Sequence, residues 1–170
     1  MVAKTVHVKD IMQQDYSYQL QEPMGDNFDP EFTPDLTPGE MLELGVFGGK
    51  YLRDCVAEYP PSWFANARLA AGACSEPDLN YFRVEASLPL SHWRGKGWLS
   101  PQDPRGWFQW YCRYYMGRRL PGEDQRQIKR WKAIRRHAGA VRKNCEQGDC
   151  NCRRKQRQAL LHWAYDSRLI

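Results

Sequence analysis

The sequence predicts a mainly α-helical domain. A compact helical body over 39–170 ends in a basic three-helix module at 103–166; an irregular acidic arm covers 1–38, and there is room for one or two short strands. Three observations predict this. Aromatic residues recur at helical spacing after Asp103. From Glu123 to Glu146, apolar residues fall three or four apart among basic ones. The first 38 residues are rich in Pro, Asp and Gln and hold no sustained period.

Taken in order, Thr5–Val8 suits a short strand. Thr37-Pro38-Gly39-Glu40 supplies an N-cap, a proline at the first helical position and an acidic first turn, so a short helix is expected to about Leu44, stopped by Gly45. Short helices are also expected over Tyr51–Glu58 and from Pro60 to near Ala71. Residues 72–90 read as loop, with an alternating strand at Tyr81–Ala86. Asp103 as cap and Pro104 as opener start a helix to about Arg118, in which Trp107, Trp110, Tyr111, Tyr114 and Tyr115 share one face. Leu120-Pro121-Gly122 turns the chain into the long helix, Gly148 lies just past its end, and Cys152–Tyr165 forms the last helix.

The chain has 170 residues, 42% hydrophobic and 13% aromatic, with seven tryptophans, which suits one folded domain. No apolar run approaches the roughly 20 residues of a membrane span. The start shows no apolar segment leading to a small-residue cleavage site, so the expected location is the cytoplasm or nucleus. Six cysteines in such a compartment are expected as thiols, or in part as metal ligands.

The formal charge of +5 conceals two opposed halves. Residues 1–90 carry six Lys/Arg and fourteen Asp/Glu, a net −8; residues 91–170 carry nineteen and six, a net +13. Such asymmetry means that the halves attract one another, that the basic half meets a polyanion, or both. Phosphate contacts fall to Lys129, Arg130, Lys132, Arg135, Arg136, Arg142 and Lys143 on the long helix, with Arg113, Arg118 and Arg119 before it and Arg153 and Arg154 after it. Arginine adds a planar fork for phosphate or guanine. Trp107, Trp110, Tyr111 and Tyr114 can stack bases or line a pocket for a flat ligand, although core packing is the plainer use of that spacing.

Other chemistry is sparser. Gly45-Val-Phe-Gly-Gly-Lys50-Tyr51 falls one residue short of a nucleotide phosphate loop and lacks its Ser/Thr, so close backbone passage is expected there, with a small anion at the Gly48 and Gly49 amides as the remaining use. Cys145, Cys150 and Cys152 lie within eight residues and can ligate zinc, with His137, His162 or Cys112 as a fourth ligand. His137, His92 and Asp54 head the catalytic candidates, followed by Cys55, Cys112 and Asp166; Asp103 is read as a helix cap. Cations around His137 are expected to lower its proton affinity.

Asp103–Arg119, Arg126–Trp131 and Arg157–Tyr165, together with Thr37–Tyr51, resemble a family of small uncharacterised proteins that share these blocks. The resemblance implies a single natural domain over much of 37–165 and brings no activity with it. Three functions follow as expectations: a DNA- or RNA-binding protein with a basic helical surface, a small enzyme whose Arg/His/Trp-lined cleft takes an anionic or nucleobase-like substrate, or an interaction domain that neutralises itself.

Overall fold

The computed structural model describes residues 3–88 and 90–170. The fold is mainly helical, with one antiparallel hairpin of β1 (Lys4–Val8) and β2 (Tyr16–Leu20). The helices are α1 (Pro38–Leu44), α2 (Leu90–Gly95), α3 (Trp107–Met116), α4 (Pro121–Asn144) and α5 (Arg154–Leu161). In the hairpin Val6 pairs with Tyr18 and Val8 with Tyr16, so the even positions turn inward and Thr5, His7, Ser17 and Gln19 stay exposed.

α1 forms as its sequence dictates. Thr37 and Glu40 make a reciprocal capping box, Pro38 opens the helix and Gly45 ends it. The expected helices over 51–58 and 60–71 reduce to single 3-10 turns at Val56–Glu58 and Pro61–Trp63. Leu52 takes a positive φ and two prolines interrupt the backbone ladder, so neither segment sustains a helix. Tyr81–Ala86 forms no strand: Arg83 has a positive φ, and Asn80 bridges the Gly48 amide and the Val84 carbonyl.

Asp103 does not cap α3. Gly106 occupies the cap position, and Asp103 is an interior carboxylate (0% exposed). α3 is buried nearly all round rather than along one face, with Trp107–Tyr114 and Met116 all inside. The reason lies in the arm, residues 1–38, which packs into the core. Phe32 (1% exposed) sits at the centre of the aromatic core, with its ring 5.0 Å from Trp131, 5.4 Å from Trp110 and Tyr111, and 5.5 Å from Tyr114. The Tyr111 hydroxyl donates to the Leu36 carbonyl, and the Asp29 amide donates to the Tyr114 hydroxyl. At the end of α3, the Gly117 carbonyl accepts the Gln21 and Glu22 amides. With φ at 123° and the Glu22 carbonyl against its Cα, this position has no space for a Cβ.

α4 presents Ile128, Trp131, Ala138 and Val141 to the core. Trp131 stacks flat on Tyr165, 4.9 Å between centroids, and donates to the Trp163 carbonyl. This contact ties α4 to the chain that follows α5.

Candidate functional site

Carboxylates from both halves neutralise arginines, chiefly interior ones. Asp103 accepts from Arg118 through both oxygens, at 2.6 and 2.9 Å, and from Arg113 at 3.1 Å. Glu58 accepts Arg113 Nε at 2.7 Å and the Tyr18 hydroxyl at 2.7 Å. Arg105 is bidentate on Asp54 and reaches Asp10. Burial alone would lower the pKa of Arg113, but its hydrogen bonds and charges with Glu58 and Asp103 outweigh that and raise it. Burial and the Glu58 charge push Tyr18 well above the phenol range. Arg113 and Arg118, expected to meet phosphate, are instead sealed in the core with the tyrosines of the hairpin around them. Nothing in their sequence neighbourhood separates them from surface arginines; their partners lie up to 102 residues away.

The cations of α4 behave differently. Lys129, Lys132, Arg136 and Lys143 are exposed and follow one another at three-, four- and seven-residue steps along the side opposite the buried seam. That stripe runs roughly 21 Å at 1.5 Å per residue. Arg135 and Arg142 flank it, also exposed. Among the described residues Lys132 meets Glu31 at 2.9 Å, while Lys129, Arg130, Arg135, Arg136, Arg142 and Lys143 have no carboxylate within ion-pair distance. Arg135 lies over Trp131. Arg119 lies over the Tyr114 ring at 3.8 Å and donates to backbone carbonyls of residues 26 and 27, so it clamps the arm. Arg153 bonds Gln156, and Arg154 donates to the Phe82 carbonyl.

Beside α4 opens a cleft of about 440 Å³. Trp107, Phe108, Trp163 and His162 line it with Trp93 and Trp98, and Arg130, Ala133, Ile134 and Arg136 of α4 complete the wall. Trp163 and Trp107 lie 4.7 Å apart, and Phe47 stacks on His162 at 4.2 Å. Burial pushes the His162 imidazole down to about 3. Its Nε2 accepts the Phe47 amide at 3.1 Å, so His162 is a neutral packed group whose Nε2 lone pair is already engaged. Of the aromatics expected to stack bases, Trp107 reaches this cleft. Trp110, Tyr111 and Tyr114 are core, with Trp110 donating to Asp124 at 2.8 Å. Sequence reasoning passed over Trp93, Trp98 and Trp163. The first two flank a Gly-Lys-Gly turn with no periodic context, so only the surplus of tryptophan hinted at them.

A second cavity, about 510 Å³, shares Phe47, Ser87, Leu88 and Trp93 with the cleft and holds Asp54, Arg105, Tyr51 and Lys50. Of the catalytic candidates, Asp54 lies here, His92 stands 5.8 Å from the Trp98 ring, and His137 pairs with Gln156; none of the three hydrogen-bonds another. Burial first, then Arg136, lowers the His137 pKa. Burial pushes the Cys55 thiol up to about 12 and Cys112 well above its ordinary value, which leaves neither an activated nucleophile. The Gly48 amide is held by Asn80 and the Gly49 amide by the Val46 carbonyl, so no anion nest forms there.

Cys145 and Cys152 are joined in a disulfide, which corrects the expectation of free thiols at both positions. Cys150 is exposed, and among the described residues no group of three or more His, Cys, Asp and Glu is arranged to hold a metal. Likewise no described helix is long and apolar enough to cross a membrane. No family model matches the chain, and neither a curated protein nor a solved structure does.

Proposed function

We propose that the protein binds nucleic acid, DNA or RNA, through the exposed cations of α4. The observation that carries this reading is the division of charge: carboxylates of the first half meet Arg105 and Arg113 inside, while six cations of α4 remain without a carboxylate among the described residues. A helix stripe of that kind suits a phosphate backbone, where each neutralised phosphate releases counterion. In this reading residues 103–166 act as a three-helix binding module: α3 anchors it in the core, α4 presents the charge and α5 braces α4. The partner sets the compartment, cytoplasm or nucleus.

The test is fluorescence anisotropy with short single-stranded and duplex oligonucleotides at roughly 50 mM salt, where phosphate contacts are strong. The wild-type protein binds. The triple variant Lys129→Gln/Arg136→Gln/Lys143→Gln binds at least tenfold more weakly with an unchanged melting temperature. Absence of binding to either polymer at low salt would sink the reading.

One observation favours a second reading, a small enzyme acting on a nucleobase-like anionic substrate. The aromatic cleft adjoins a cavity holding Asp54, whose side chain is 46% exposed although it pairs with Arg105. Turnover of a nucleotide abolished by Asp54→Asn would establish it.

A further inference from the structure

The cleft beside α4 differs in chemistry from the stripe it borders. Its floor is aromatic and uncharged, since His162 is held neutral by burial. Among the described residues, the cations in its lining are Arg130 and Arg136, both from α4. Arg130 is half-buried, stands 5.4 Å over the Trp163 ring and, among the described residues, bonds the Trp98 carbonyl and Gln127 without a carboxylate. It differs in this from Arg105, Arg113 and Arg118, each of which holds a carboxylate. Trp107, at 4% exposure, packs 4.7 Å from the Trp163 ring and forms the base of this floor. Trp98 is 43% exposed and lines the cleft, so part of its ring face is open there.

We infer that this cleft takes one unpaired nucleobase, stacked against the tryptophans, with its attached phosphate at Arg130 and Arg136. A flat neutral ring bearing an anionic group matches an aromatic floor with cations on one side only. Base–aromatic stacking tolerates any base, so the tryptophan floor sets no base preference. A paired base is stacked within its duplex and cannot enter, so the cleft selects single strands or ends. A free mononucleotide presents the same chemistry. The inference rests on the nucleic-acid reading for the source of the base, and its test separates the two.

The experiment measures anisotropy with a short single strand and a blunt duplex of equal length, together with tryptophan fluorescence on adding adenosine monophosphate. Two exposed positions are varied: Trp98→Ala removes a stacking face, and Ala133→Trp fills the cleft from the helix surface. The wild type is expected to prefer the single strand by tenfold or more. Each variant should erase that preference while changing duplex affinity less than twofold. Equal affinities for strand and duplex, unmoved by either variant and with no mononucleotide quench, overturn the inference and leave the α4 reading intact. If neither polymer binds, that reading falls and the mononucleotide decides for the cleft: saturable quenching lost in Ala133→Trp upholds it, and no quenching overturns it.

Discussion

Asp103 is a keystone of the interior, because two buried guanidiniums converge on it. Asp103→Ala strands Arg118 without a carboxylate and weakens Arg113. Removing one partner of a buried pair typically costs about 3–5 kcal/mol, so the denaturation midpoint should fall by a corresponding amount, or the variant should fail to fold. The sequence offered Asp103 as a cap because Asp-Pro before an aromatic run reads that way locally; its true partners are ten and fifteen residues on, an arrangement visible only in three dimensions. His162 makes a pH prediction. Its folded value near 3 lies below its unfolded 6.5, so the unfolded chain binds the extra proton between those values. Stability from this group is full above about pH 6.5 and is lost as pH falls toward 3, by up to on the order of 5 kcal/mol. Melting curves from pH 7 to pH 4 should show the decline, and His162→Gln, which keeps an acceptor for the Phe47 amide, should flatten it.

At the scale of elements, the legible ones are those whose cues are local. α1 carries its own capping box, and α3 and α4 carry their own periodicity; all three lie close to their expected ranges. Between 51 and 86 the sequence predicts helix and strand where the chain forms turns, since short apolar runs look the same whichever structure their neighbours impose. The first 38 residues were under-read for the same reason: Phe32 reaches the centre of the core without any period to announce it. Docking of this segment onto α3 depends on Gly117. Gly117→Ala meets both a positive φ and the Glu22 carbonyl, and should lower stability by roughly 1–3 kcal/mol in denaturant unfolding. The aromatic cleft was legible only in part. Arg130, Arg136 and Trp107 are among the expected residues, whereas Trp93 and Trp98 come from a segment whose pattern predicts nothing, and Trp163 from the turn just past α5.

Across the whole molecule, the opposed charges of the two halves resolve into two populations of cation. One set is internal, paired and structural; the other is external, aligned on α4 and almost free of carboxylates among the described residues. The sequence showed the asymmetry but not this sorting, because charge count says nothing about which arginines are buried. The sorting is the central claim, and the salt dependence of single-strand binding tests it most directly. The slope of log K against log salt should be steep for the wild type. In Lys129→Gln/Arg136→Gln/Lys143→Gln it should be shallower by about 2, near 0.7 for each phosphate contact removed. A slope identical in the two proteins, or flat in both, would contradict the account.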